Sequence, residues 1–201
     1  MWLRAKGFKR TKGKSLWGFS SWASPLGGYR AALLRAGTPS GAALAAAAAE
    51  YAALQAVAPQ VGSAYAPLLR VANLSTLSAI AHARGEAAAA LEAAAAAVQE
   101  QTSWAYDEPP DWHMPMRQCL GRLQLQGNTS ASYAAAEATY LADLAQFPEN
   151  GWSLWGLLQS MRAQPAAHSP AECAAVARRA QQAWAEADVP LVSSCLAFDP
   201  F

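Results

Sequence analysis

The sequence has few charged residues and lacks the alternating patterns from which β-strands form. Charged residues make up only 14% of its 201 residues, and alanine is the most prominent residue type. No stretch alternates Val, Ile, Thr or Tyr with polar residues as a half-buried strand does. Alanine is the best helix former, because its side chain loses no conformational freedom in a helix. We therefore predict an all-α protein, long enough for one domain with a substantial core.

The cysteines lack the short paired spacing of a CxxC redox or zinc motif. The three of them, Cys119, Cys173 and Cys195, form an odd and scattered set. Such a set indicates reduced thiols inside a cell rather than the disulfide framework of a secreted protein. The most apolar run, residues 41–58, is mostly alanine and includes a glutamate and a glutamine, which is too weak for a membrane span. We therefore expect an intracellular protein without a membrane span.

Sequence motifs of the common enzyme classes are also missing. The chain contains no GxSxG elbow, no HExxH, no phosphate-binding glycine loop and no dinucleotide fingerprint. His82 lies in an alanine-rich segment and His168 lies in a predicted loop. A lone histidine is more often a packed or solvated residue than a catalytic base. We therefore predict that the protein is not an enzyme and that it needs no cofactor.

Charge divides the chain into a basic arm and an acidic body. Residues 1–49 contain eight Lys or Arg and no acid, whereas residues 51–201 contain seven basic and thirteen acidic residues. For the arm, residues 1–37, three interpretations stay open: a disordered segment, a transit segment poor in acids, or a nucleic-acid contact made by basic and aromatic residues. The third is the least favoured, so we do not expect a nucleic-acid partner. A transit segment would make the protein organellar, and otherwise we expect it in the cytoplasm.

The body, residues 38–201, reads as a series of helices separated by proline, glycine and capping residues. Thr38-Pro39 and Ser169-Pro170-Ala171-Glu172 are typical helix starts, the second being a capping box. For the segment 65–84 we predict a buried stripe formed by Leu68, Leu69, Ala72, Leu77 and Ile80. The predicted helices are 39–57, 65–84, 86–103, 115–126, 130–147, 151–164 and 170–187.

Between two of these helices lies YDEPPDWHMPMRQCLG, residues 106–121. Pro109 and Pro110 cannot lie inside a helix, so we interpret this stretch mainly as a hinge. Its alternative is a metal-dependent or small-molecule site over Asp107–His113, where three carboxylates and a histidine are close in sequence. No second His or Cys follows at the spacing of a zinc site, and the calcium-loop glycine and glutamate are absent. The hinge is the favoured interpretation.

Helix pairs joined by glycine turns are typical of the tetratricopeptide repeat, with its pattern W-x2-L-G-x2-Y, A-x3-F and P. Leu120-Gly121 matches the first helix of this pattern, Ala136 and Tyr140 match the second, and Pro148 ends the unit. The first helix departs from it, since Arg117 stands in place of the tryptophan. Residues 114–187 thus resemble two degenerate units, and residues 60–103 resemble a third. The resemblance implies an α-solenoid.

Three stretches resemble the C-terminal part of a family of larger tetratricopeptide-repeat proteins, in the same order. They are YDEPPDWHMPMRQCLG, ADLAQFPENGWSLWGL and AWAEADVPL, and the likeness covers roughly residues 60–192. It implies a repeat scaffold, and it implies that the chain corresponds to the carboxyl end of a longer protein.

The resemblance also implies a function in protein–protein interaction. In tetratricopeptide repeats the first helices of the units line a concave groove that binds a peptide or protein partner. Arginine in such a groove can hold a partner's carboxylate with two parallel hydrogen bonds. Trp152 and Trp155, three residues apart, lie on one helix face, where they can pack in the core or line the groove. The predicted partner-binding residues are Gln118, Arg122, Trp152, Trp155, Gln159 and Arg162.

Overall fold

The computed structural model describes residues 41–60, 65–105, 111–112, 114–188 and 191–195. Within these ranges the chain forms seven α-helices and no β-strand, which confirms the all-α class. The predicted basic arm, residues 1–37, and the predicted cap at Thr38-Pro39 lie outside them. The helices are α1 (Gly41–Val57), α2 (Ala66–Ala83), α3 (Ala87–Thr102), α4 (Met116–Leu125), α5 (Ser130–Gln146), α6 (Gly151–Arg162) and α7 (Pro170–Ala183), and a 3-10 turn (Ala58–Gln60) follows α1.

Prolines and left-handed residues separate the helices where the sequence predicted. Helix α5 ends two residues before Pro148, and α6 ends three residues before Pro165, because proline lacks an amide hydrogen and excludes helical geometry from its predecessor. Gly85, between α2 and α3, has a φ of 77°, and Asn128, between α4 and α5, has a φ of 51°. Both residues adopt the left-handed conformation that commonly ends a helix.

The capping box at the start of α7 forms as predicted. The Glu172 N–H donates to Ser169 Oγ at 3.3 Å, and the Ser169 N–H donates to the Glu172 carboxylate at 2.7 Å. A second capping box, which the sequence analysis missed, joins Thr129 and Ser132 at the start of α5. Serine replaces the usual glutamate or glutamine at the third helical position there, so the standard pattern does not find it.

Consecutive helices pack against each other along the chain, and α4 also packs against α6. One hydrophobic cluster lies among α1 to α4 and a second among α5 to α7. Ala72, Ala90 and Ala94 in the first cluster are fully buried. Their small side chains allow α2 and α3 to approach closely, which compensates for the scarcity of large apolar residues.

The buried face of α2 differs from the predicted stripe at one position. Leu69, Ala72 and Ile80 are buried as expected and Leu68 is partly buried, whereas Leu77 is 41% exposed. Leu77 lies seven residues, about two turns, after Arg70 and therefore shares its exposed face. The prediction was wrong at Leu77 because the buried arc is centred on the opposite side of the helix.

Tyr140 of α5 joins three helices. Its side chain is fully buried, and its ring lies against the backbone of Gly121 in α4 and of Gly156 in α6. A Cβ at Gly121 would lie 2.5 Å from the ring, well inside van der Waals contact, and one at Gly156 would overlap it more closely still. The two glycines therefore let α4 and α6 approach the same aromatic ring.

A disulfide bond corrects the prediction of three reduced thiols. Cys119 of α4 is bonded to Cys195, 76 residues later, and both side chains are fully buried. Only Cys173 is free. The expectation failed because spacing in sequence does not decide pairing: the fold brings Cys195 back onto α4, with a Cα–Cα distance of 4.7 Å.

Candidate functional site

Three of the predicted partner-binding residues lie together on α6. Trp155, Gln159 and Arg162 follow one another at intervals of four and three residues, so they share a helix face. They line a pocket of about 290 Å³. Its other lining residues are Leu158 of α6, Ala177, Ala180 and Gln181 of α7, Trp184, which follows α7, and Leu191. The second wall thus comes from α7 and residue 191, and not from the first helices of other repeats, as the resemblance implied.

The α7 side of this pocket was missed in the sequence analysis, although a signal was present. Ala177, Ala180 and Trp184 are spaced by three and four residues, which puts them on one face of the helix and its continuation. Trp184 is half-buried and lies in the pocket lining.

Trp152 does not line the pocket but supports Trp184. The two indoles meet edge to face, with ring centroids 4.7 Å apart and an interplanar angle of 88°. The Trp184 ring also lies directly on Gly151, where an added Cβ would overlap the indole. Edge-to-face packing of this kind contributes about 0.5–1.5 kcal/mol beyond the buried area. Trp184 is therefore held in a fixed position at the pocket.

Arg162 brings a positive charge to the rim of the pocket. Its side chain is exposed, and it forms no ion pair or hydrogen bond with the residues that the structure describes. The carboxylate of Glu149, just before α6, is paired with Arg179 of α7, at 2.7 Å. The pocket thus combines two indoles and two leucines with a guanidinium group that the described residues leave unneutralised.

Gln118 lies in the core and cannot line an exposed groove in this structure, since its residue is only 3% exposed. It faces the fully buried Asp143 of α5, which also accepts a hydrogen bond from Ser153 Oγ at 2.5 Å. Burial raises the pKa of the Asp143 carboxyl, while the hydrogen bond from Ser153 and the charge of Arg117 oppose that rise. Gln118 is therefore part of the interior beside Asp143 and not of an exposed surface.

Arg122 lies away from Arg162, in a different pocket. That pocket, of about 440 Å³, lies at the turn between α2 and α3 and the end of α4. His82, Gly85 and Gln126 are among its other lining residues. The structure therefore separates the two arginines that the sequence analysis grouped into one binding surface.

The alternative site over Asp107–His113 lies mostly outside the described residues, since 106–110 and 113 are not among them. Asp111 is exposed, whereas Trp112 is buried against the first hydrophobic cluster. Among the residues that are described, no group of three or more His, Cys, Asp or Glu side chains is close enough to hold a metal ion. His168, predicted as a lone loop residue, contacts the Glu137 carboxylate at 2.8 Å. The metal-site hypothesis stays untested for the stretch itself.

Comparisons with protein-family models, with curated proteins and with solved structures find no match for this chain. The resemblance to tetratricopeptide repeats therefore stays a prediction from the sequence. In the part of the chain that the structure covers, no helix combines the length and the apolar character needed to cross a membrane.

Proposed function

We propose that the chain is a helical repeat protein with tetratricopeptide-like units that binds a peptide or protein partner in the pocket between α6 and α7. The arrangement of helix contacts agrees with such repeats: α4 and α6, the first helices of the two proposed units, pack against each other as well as against α5. In a solenoid each unit buries its apolar face against its neighbours and leaves an extended surface for binding.

The observation that carries the proposal is the combination of Trp155, Trp184 and Arg162 at one pocket. Ligand sites are mostly apolar concave surfaces with a few polar groups that fix orientation. Tryptophan and arginine are also the residues most enriched among binding hot spots. The pocket is large enough for one apolar side chain but not for a folded domain.

The charge at the rim defines the class of partner. An arginine without a carboxylate partner among the described residues attracts acidic groups, and its planar guanidinium can hold a carboxylate by two parallel hydrogen bonds. The occupant we propose is an extended peptide segment that inserts an apolar side chain between the indoles and presents an Asp, a Glu or a terminal carboxylate to Arg162.

A peptide-display selection tests this proposal. Random peptides are selected on the full chain, and the enriched sequences are measured by isothermal titration. We expect the enriched peptides to contain an apolar residue next to an acidic one. Arg162→Ala should lower the affinity for these peptides at least tenfold, which corresponds to about 1.4 kcal/mol. Arg178→Ala is the matched control, because Arg178 is an exposed arginine of α7 outside the pocket lining.

Both arginine variants should melt at nearly the same temperature as the unmodified chain, since exposed charges contribute about 0–1 kcal/mol to stability. Equal affinities for Arg162→Ala and Arg178→Ala, or selected peptides without acidic residues, would rule out this pocket as the binding site.

A further inference from the structure

The segment 191–195 is fastened to the helices at one end. Cys195 is covalently bonded to Cys119 of α4. The neighbouring Ser194 Oγ donates a hydrogen bond to the Gln118 carbonyl oxygen at 3.1 Å and accepts one from the Tyr140 hydroxyl at 2.6 Å. Ser193, Ser194 and Cys195 are all fully buried. A short stretch with no regular secondary structure is thus fixed by one covalent bond and two side-chain hydrogen bonds.

The other end of the same segment forms part of the pocket. Leu191 lines it together with Trp155 and Trp184. The pocket volume of about 290 Å³ is present while Leu191 is in position, so this leucine is a wall of the pocket and not a plug that fills it. Val192, the next residue, is 51% exposed and contributes little to holding the segment down.

We propose that the Cys119–Cys195 disulfide is a redox-sensitive clasp that completes the binding pocket by holding Leu191 against the two tryptophans. This inference rests on the proposed function of the pocket. When the disulfide is reduced, the contacts that remain between the segment and the described helices are the two hydrogen bonds of Ser194 and side-chain packing. The segment then lifts away, the pocket loses an apolar wall, and the affinity for an apolar anchor residue falls.

The reductant is a dithiol. One of its thiolates attacks a sulfur of the bond and forms a mixed disulfide, and its second thiol then resolves this intermediate. In total the Cys119–Cys195 bond breaks, the dithiol is oxidised to its own disulfide, and two electrons and two protons pass to the thiols of Cys119 and Cys195. Since both sulfurs are buried, the attack follows a local opening of the segment.

Hydrogen–deuterium exchange of the full chain, with and without dithiothreitol, measures the clasp without any partner. We expect the amides of residues 191–195 to exchange at least tenfold faster after reduction. In the Cys195→Ser variant the same amides should exchange at this faster rate without dithiothreitol. Cys173→Ser, which removes the free cysteine, is the matched control and should behave like the unmodified chain. Unchanged exchange after full reduction, verified by the mass of the alkylated protein, would overturn the clasp.

Two further readouts connect the segment to the pocket. The indole N–H resonances of Trp155 and Trp184, assigned through Trp→Phe variants, should shift when the disulfide is reduced. A peptide selected on the oxidised chain should bind the reduced chain at least fivefold more weakly than the oxidised chain. A released segment with unshifted indole resonances and unchanged peptide affinity would overturn Leu191 as a pocket wall. If no peptide is selected in either state, the proposed binding function fails, while exchange and the indole resonances still decide the action of the clasp.

Discussion

The contact between Gly156 and Tyr140 gives a sharp test of how the helices are held together. A methyl group at position 156 would overlap the Tyr140 ring, since ordinary contact for a Cβ lies at 3.4–4 Å and the available space is far smaller. The ring has nowhere to move, because Tyr140 is fully buried, lies also against Gly121 and is hydrogen-bonded to Ser194. Gly156→Ala must therefore push α6 away from α5.

Two opposing effects set the magnitude of this change. Forcing an extra methyl group into a packed core costs about 1–3 kcal/mol, whereas alanine inside a helix is favoured over glycine by about 1 kcal/mol. The severe overlap puts the first effect at the upper end of its range, so we expect a net loss of about 1–2 kcal/mol. For a chain of this size the melting temperature should fall by about 3–6 °C.

Thermal unfolding followed by far-UV circular dichroism measures the effect. Gly41→Ala is the control, because a Cβ there meets nothing within 4 Å and the variant should be neutral or slightly more stable. In a Tyr140→Leu background the cost of Gly156→Ala should shrink, since a double-mutant cycle isolates the contact between the two residues. If Gly156→Ala stabilises the protein as Gly41→Ala does, the argument for close packing on Tyr140 is refuted.

Three other variants probe the buried carboxyl, the disulfide and a helix cap. Because burial raises the pKa of Asp143, its contribution to stability is full below the ordinary pKa of 3.8 and is lost as the pH rises through the folded-state pKa. The melting temperature of Asp143→Asn minus that of the unmodified chain should therefore increase between pH 4 and pH 7. A difference that stays constant over this range would contradict the prediction. Cys195→Ser should lose about 2–4 kcal/mol in chemical denaturation because the disulfide closes a long loop, while Cys173→Ser should lose much less. Ser169→Ala removes the cap of α7 and should cost about 1 kcal/mol in the same assay; an unchanged midpoint would mean that the α7 start does not limit stability.

The helix pattern could be predicted from the sequence because its signals are local. Pro148 and Pro165 exclude helical geometry just before them whatever the rest of the chain does. The Ser169–Glu172 capping box likewise involves residues only three positions apart. These features depend on backbone geometry and on short-range hydrogen bonds, so the predicted helix ends agree with the structure to within about four residues.

The features that escaped prediction depend on distant parts of the chain. Cys119 and Cys195 lie 76 residues apart, and nothing in their spacing reveals that they meet. Gln118 was predicted on a groove because its repeat position implied exposure, but the packing of α4 against α5 buries it beside Asp143. The pocket itself combines α6 with α7 and Leu191, so its second wall follows from tertiary packing and not from any motif.

Tyr140 relates these separate features to one another. Its ring sets the position of α6 through Gly156, and α6 carries Trp155 and Arg162. Its hydroxyl donates to Ser194, three residues after Leu191 on the opposite wall. The Tyr140 side chain therefore helps to position both walls of the pocket, the α6 wall and the Leu191 wall. The disulfide fixes the Leu191 wall independently of Tyr140. A change that disturbs the ring should alter both walls, whereas loss of the disulfide should release one wall and leave α6 where it is, so the two perturbations can be told apart at the pocket.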